Sequence, residues 1–261
     1  MLFSVELVRA FRVFILNNAD LLQDHELARV ALDYPFPHPR QSFIFLDGEV
    51  AAPAEVAWSS EGRTPVIAYG SNRSPDVLRR KYAQESHVML PTLQAKLRDF
   101  DVVYGAMVST LGPVPATLAP SPGAICDVAV QFLTAAQLER MHGSERVGVS
   151  YGFAELPRDL IEVEGIGHCG CWFYFCLYGV LRHCGEPVAL AEVRCQERRW
   201  PALTQREMQS LVRQRLGSTA TPHEFLLEHI RDEEVRRDRI SRLSADAIRY
   251  RPQSAMTAGL T

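Results

Sequence analysis

Pro65-Val66-Ile67-Ala68-Tyr69-Gly70-Ser71-Asn72-Arg73-Ser74-Pro75-Asp76 is the stretch whose reading decides the fold. Pro65 to Ala68 has the composition of an apolar strand and runs directly into a helix start. Ser74 suits the N-cap, Pro75 the first helical position and Asp76 the first turn. A strand, a small-residue turn and a helix N-terminus in succession leave backbone N–H groups pointing into a concavity of partial positive potential. Tyr69-Gly70-Ser71-Asn72 is therefore a place to hold a carboxylate, a phosphate or an oxyanion. Taken alone, the tetrapeptide also reads as an ordinary strand-to-helix turn.

With 261 residues, 47% hydrophobic and 23% charged, the chain can bury a full core, as one main domain with elaborations or as two small domains. A formal net charge of -3 gives no global reason to expect nucleic-acid or anionic-membrane binding. Six cysteines are too sparse for a disulfide-stapled secreted scaffold, so a reducing, cytoplasmic setting is expected. The apolar N-terminus, Met1 to Ala19, is interrupted at helical spacing by Glu6, Arg9 and Arg12. It reads as an amphipathic helix rather than a membrane span or signal peptide. Docking on the protein's own core is the favoured role, with a homodimer contact or a membrane-surface helix as alternatives.

A second helical stretch, about 19–32, gives way to Tyr34-Pro35-Phe36-Pro37-His38-Pro39, where alternating prolines forbid a regular helix. Residues 42–50, with Asp47-Gly48, have the pattern of a hairpin. Residues 1–62 thus read as an N-terminal helical extension and linker, 63–200 as the main domain and 201–261 as a C-terminal helical extension. Between Leu90 and Val130, short apolar segments alternate with turn residues, including an expected turn at Pro120-Ser121-Pro122-Gly123. That alternation predicts a small, strongly curved mixed sheet or β-barrel, hence an α+β fold. Thr134 and Gln137 form a capping box for a helix that His142-Gly143 is expected to stop. Tyr151 to Leu156 and Trp172 to Leu181 read as strands. Helices follow at 205–216 and from about 222, the latter with a solvated mixed-charge face around Asp232 to Arg239.

The second informative stretch is Leu138-Glu139-Arg140-Met141-His142-Gly143-Ser144-Glu145-Arg146-Val147-Gly148-Val149-Ser150-Tyr151. Together with VIAYGSN and PSPGAICDVAV, it resembles the γ-glutamylcyclotransferase-like family in the order and spacing of its motifs over roughly residues 64–185. The resemblance implies that the YGSN loop binds a γ-glutamyl group and that Glu145, at the position of the family's glutamate, performs the proton transfers. Tyr151 matches the tyrosine that closes the same segment. This chain departs from the pattern at Arg73, where an apolar residue is usual, at Met141-His142 in place of Leu-Asp, and at Arg146 in place of glycine. Arg73 and Arg146 bring positive charge beside the implied site, either for a more acidic substrate or to hold Glu145 ionised.

The implied activity is a metal-independent, cofactor-free cyclisation of a γ-glutamyl amide to 5-oxoproline, with release of an amine or amino acid. Glu145 is the catalytic residue in that reading. Tyr69, Gly70, Ser71, Asn72, Arg73 and Tyr151 bind the substrate, with Tyr69 also anchoring the loop. A binding or interaction module with a degenerate site on the same fold is the alternative. His168, Cys169, Cys171, Cys176, His183 and Cys184 raise a zinc reading, but paired C-x-x-C knuckles are missing and buried core cysteines are the expectation. Nucleotide-phosphate motifs and a G-x-S-x-G elbow are also absent from the sequence.

Overall fold

A computed structural model describes residues 24–255. The N-terminal amphipathic helix, and with it the homodimer contact assigned to it, lies outside the described residues. Helix α1 (Asp24–Leu32) comes first, followed by the hairpin β1 (Phe43–Leu46) and β2 (Glu49–Ala51). β3 (Thr64–Ala68) and α2 (Pro75–Lys81) flank the YGSN turn, which forms one turn of 3₁₀ helix at Ser71–Arg73. The long strands β4 (Met89–Tyr104) and β5 (Ala116–Leu133) precede α3 (Ala135–Glu145). Next come β6 (Tyr151–Leu156), β7 (Ile161–Val163), β8 (Gly167–His168), β9 (Cys171–Cys176), β10 (Arg182–His183) and β11 (Glu186–Pro187). β12 (Ala189–Leu190), β13 (Cys195–Gln196) and β14 (Ala202–Leu203) lead to helices α4 (Gln205–Arg215), α5 (Pro222–Arg231) and α6 (Glu233–Ser244).

The sheet is mixed and runs β14-β12-β4-β5-β3-β9-β6, with β1, β7 and β13 pairing alongside that path. β3 is antiparallel to β5 and parallel to β9, so it is hydrogen-bonded on both edges and its C-terminal end delivers Tyr69 from the middle of the sheet. No pairing joins β14 to β6 among the described residues, so the order is open. The protein is an α+β fold with a large sheet and six described α-helices. The hairpin expected at 42–50 forms, and β1 pairs with β4, adding the segment ahead of β3 to the same sheet.

Two local expectations are corrected. Pro120 to Gly123 does not separate two strands: β5 runs through it, with Gly123 in the left-handed region at φ 87°. Pro120 and Pro122 alternate onto the exposed face with buried Ser121 between them. Arg98 pairs with Ile125 and Phe100 with Pro120, so Ser121 to Ala124 of β5 stand against Asp99 alone. The irregularity is a bulge on β5, and Asp99, at φ 58°, accepts the Gly123 N–H on its Oδ1 at 2.7 Å. His142-Gly143 does not stop α3 either. The helix continues to Glu145, and the left-handed residue that ends it is Arg146, at φ 52° and ψ 53°.

Cysteine pairing also differs from expectation. Cys126 and Cys195 stand opposite each other on β5 and β13 and are joined by a disulfide. Beside them the fully buried Asp101 carboxylate takes a bidentate contact from Arg198, with Nε and Nη2 both at 2.9 Å from its two oxygens. Among the described residues no helix is long and apolar enough to cross a membrane.

Helix α5 is fixed to the loop after β4 by a buried histidine. His229 is fully buried, and its Nε2 meets the Ser109 carbonyl at 2.9 Å, which makes Nε2 the protonated nitrogen of a neutral ring. Burial pushes its pKa down to about 3. The unfolded ring protonates at its ordinary value, so the stability this group contributes is complete above pH ~6.5 and is lost as pH falls toward the folded value. Stability followed by chemical denaturation is expected to decline across that window with a slope of up to about 1.4 kcal/mol per pH unit from this residue. His229→Gln should flatten that part of the slope, and an unchanged pH profile would contradict the assignment.

Candidate functional site

Glu145 closes α3 and Asn72 lies in the turn after β3, 73 residues apart in sequence, yet Asn72 Nδ2 donates to Glu145 Oε1 at 3.0 Å. The two motifs that sequence reading set apart are therefore in direct contact. Local chemistry explains each approach. The Thr134–Gln137 capping box starts α3 at the end of β5, and the buried faces of Gln137 and Met141 hold it against the sheet. On the other side Gln131 Nε2, from β5, donates to the Asn72 carbonyl at 2.8 Å and fixes the turn.

A third residue, missed from the sequence, completes the contact. Lys81 Nζ lies 2.6 Å from Glu145 Oε1, 2.6 Å from Asn72 Oδ1 and 3.4 Å from Met141 Sδ. The ion pair is largely buried, with the Lys81 side chain 11% and the Glu145 side chain 16% exposed. The cation on Glu145 is thus Lys81, at the end of α2, rather than the exposed Arg146. A signal for it existed: Lys81 follows Val77 and Leu78 at helical spacing, so the face of α2 that buries those residues also buries Lys81. Both contacts to Glu145 use Oε1, and Oε2 has no hydrogen-bond partner among the described residues.

These groups line a cavity of ≈ 980 Å³. Tyr69, Gly70, Ser71, Asn72, Lys81, Glu145, Arg146 and Tyr151 are all on its wall. Tyr69 anchors the turn, its hydroxyl donating to the Tyr174 carbonyl on β9. The Tyr151 hydroxyl donates to the Ala116 carbonyl at 3.1 Å. Burial, with the negative charge of Glu145 adding to it, raises both phenols well above their ordinary pKa, so they are neutral donors.

Arg73 is the exception among the expected site residues. It is 5% exposed, is not among the residues lining the cavity, and directs Nη1 to the Asp127 carbonyl on β5 at 3.4 Å. Desolvation lowers its pKa to about 10, and its Nε and Nη2 have no partner among the described residues. As the last residue of the 3₁₀ turn it faces the sheet, whereas Ser71 and Asn72 face the cavity. His142 also turns inward: its ring packs edge-on against Phe153 at 4.6 Å, and Nδ1 lies 2.9 Å from the Tyr174 hydroxyl.

Residues ahead of β3 form part of the cavity wall. Leu27 and Val30 of α1, with Tyr34 and Phe36 of the proline-rich segment, line it together with the YGSN turn. The Tyr34 hydroxyl accepts the Ala116 N–H at 2.8 Å, and a Cβ on Gly70 would fall 2.4 Å from that oxygen. Glycine at position 70 is therefore required by the close approach of Tyr34. The Arg80 guanidinium lies over Phe36, 5.5 Å from the ring centroid.

The zinc reading finds no assembly in the structure. Among the described residues only Asp101, Cys126 and Cys195 bring three such ligand atoms within 4.8 Å, and the two sulfurs there are bonded to each other.

No protein-family profile matches the chain, and no curated protein does so significantly. Solved structures similar to it include an uncharacterized protein from Homo sapiens, 21% identical over 44% of this chain and 68% of that one, with a TM-score of 0.38. A protein described as gamma-glutamyl cyclotransferase is 19% identical over 44% of this chain and 66% of its own, with a TM-score of 0.37. A protein from Arabidopsis thaliana is 20% identical over 46% of this chain and 74% of its own, with a TM-score of 0.36.

The Lys81–Glu145 pair gives a direct stability test. Lys81→Met leaves a mostly buried carboxylate without its cation and is expected to cost about 3 kcal/mol in urea denaturation at pH 7. Adding Glu145→Gln should recover most of that loss, because the uncompensated charge is then gone. Additive losses in the double variant would contradict the pairing.

Proposed function

We propose that the chain is a γ-glutamylcyclotransferase-like enzyme, converting a γ-glutamyl amide to 5-oxoproline with release of an amine or amino acid. The single observation that carries this reading is the contact of Glu145 with Asn72 of the YGSN turn on the wall of one cavity. An acid/base carboxylate and a small-residue anion cradle, brought together from distant parts of the chain, are what this ring closure needs.

The chemistry asks for no enzyme nucleophile. The substrate's own α-amine attacks its γ-carbonyl, and a chain held folded back on itself makes that a five-membered ring closure favoured by proximity. The backbone N–H groups of Gly70, Ser71 and Asn72 hold the α-carboxylate or the tetrahedral oxyanion. Glu145 Oε2 takes the proton from the attacking amine and delivers it to the departing nitrogen. Lys81 keeps Oε1 occupied and so aims Oε2, while Tyr151 and Tyr69 shape the pocket as neutral phenols. Leu27, Val30, Phe36 and Ile240 give the cavity apolar wall, which suits an apolar leaving group. The main domain spans residues 63–200 in this reading, with the segment ahead of it completing the substrate site.

A degenerate binding module is the second reading, and the Lys81 ion pair favours it: a carboxylate retired from proton transfer keeps such a partner. The two differ in turnover. On γ-glutamyl amino acids, γ-glutamylamines and glutathione, the enzyme should release 5-oxoproline, and Glu145→Gln should lower kcat by ~10²–10⁴ with the fold intact at the assay temperature, its thermal transition lowered because Lys81 loses its buried partner. Absence of product from all three substrate types, or full activity in Glu145→Gln, overturns the enzymatic reading.

A further inference from the structure

Away from the cavity, Cys169-Gly170-Cys171 sits where the loop after β8 enters β9. The two sulfurs are 3.6 Å apart. Cys171 is buried as the first residue of β9, paired with Leu156 of β6, while Cys169 is half-buried and Gly170 is exposed. A disulfide needs sulfurs ~2.05 Å apart, so closure requires an approach of about 1.5 Å. Gly170 allows it: a Cβ there would meet only the Glu155 carboxylate, at 3.7 Å, so the linking residue has open space around it.

We propose that Cys169 and Cys171 form a redox-active dithiol that exchanges with low-molecular-weight disulfides and closes to an internal disulfide. The two thiols are unequal in the way such a pair requires. The hydrogen bond from Cys171 lowers Cys169 to about 7, with the nearby positive charge of Arg158 adding to the effect. The same bond, together with burial, pushes Cys171 upward. Cys169 is the attacking thiolate and Cys171 the resolving thiol. By contrast, the buried Cys176 is pushed up to about 11, and Cys126 and Cys195 are already bonded to each other.

The exchange balances without any other reagent. The Cys169 thiolate attacks one sulfur of a disulfide RSSR, forming a mixed disulfide and expelling RS⁻, which takes up the proton that Cys169 lost. Cys171 then gives up its proton and attacks Cys169 Sγ, expelling the second thiolate, which is protonated in turn. The protein loses two hydrogens and the small disulfide gains them as two thiols.

The test uses the full chain carrying Cys184→Ser, reduced and freed of reductant, with bis(2-hydroxyethyl) disulfide as probe; Cys126 and Cys195, which the same reduction opens, are followed on their own peptides. That probe has no γ-glutamyl group, so the cavity does not compete for it. Peptide mapping by mass spectrometry should find an internal Cys169–Cys171 disulfide with no retained adduct. Cys171→Ser should trap one mercaptoethanol adduct on Cys169, and Cys169→Ser should leave Cys171 at least about tenfold less reactive. An adduct that persists on Cys169 with Cys171 present, an unreacted pair, or equal reactivity of Cys171 in Cys169→Ser would overturn the proposal. The first two readouts come from the chain with both thiols in place and stand even if a variant folds poorly.

Discussion

The ion pair between Lys81 and Glu145 organises the site. It joins the end of α2 to the end of α3, and through the shared Asn72 contacts it ties both helices to the turn that leaves β3. A charge pair with side chains 11% and 16% exposed contributes little net stability, since desolvation offsets most of the Coulombic attraction. Its value lies in geometry. Three segments that arrive from different parts of the sheet are held at hydrogen-bond distance, and one carboxylate oxygen is left without a partner.

The sheet makes that meeting possible. β3 is paired on both edges, so Tyr69 emerges at a fixed point, and its hydroxyl is secured by β9. β5 runs from Ala116, whose N–H and carbonyl hold Tyr34 and Tyr151, to the start of α3. One long strand therefore sets both the aromatic side of the cavity and the helix that carries Glu145. Tyr34 closes the remaining side and explains why position 70 has no side chain.

Much of this was legible in the sequence, and the failures have physical causes. The strand-turn-helix at 65–81 and the capping box at Thr134 are local signals, and both form, although Ser74 holds the N-cap position of α2 without its hydroxyl making a capping hydrogen bond. The end of α3 was misread because glycine lowers helix propensity without forbidding helix, and the left-handed C-cap was supplied by Arg146 instead. The turn expected at Pro120-Ser121-Pro122-Gly123 does not divide the strand, because the surplus residues are taken up as a bulge on β5 opposite Asp99 and pairing with β4 resumes on both sides of it. Arg73 was assigned to the site from its neighbours, but a 3₁₀ turn rotates successive side chains by about a third of a revolution and sends it into the sheet. Lys81 and Tyr34 escaped notice because their roles depend on tertiary contacts that periodicity does not encode.

The central claim is that the space between the YGSN turn and Glu145 receives a γ-glutamyl group. A crystal structure with a glutaryl amide, which lacks the α-amine and cannot cyclise, tests it most directly. The account predicts the ligand's carboxylate or its amide carbonyl within hydrogen-bond reach of the Gly70–Asn72 backbone and its amide nitrogen beside Glu145 Oε2, with Lys81 still on Oε1. A glutaryl chain bound away from Asn72 and Glu145, or a cavity that excludes it at saturating concentration, would contradict the account.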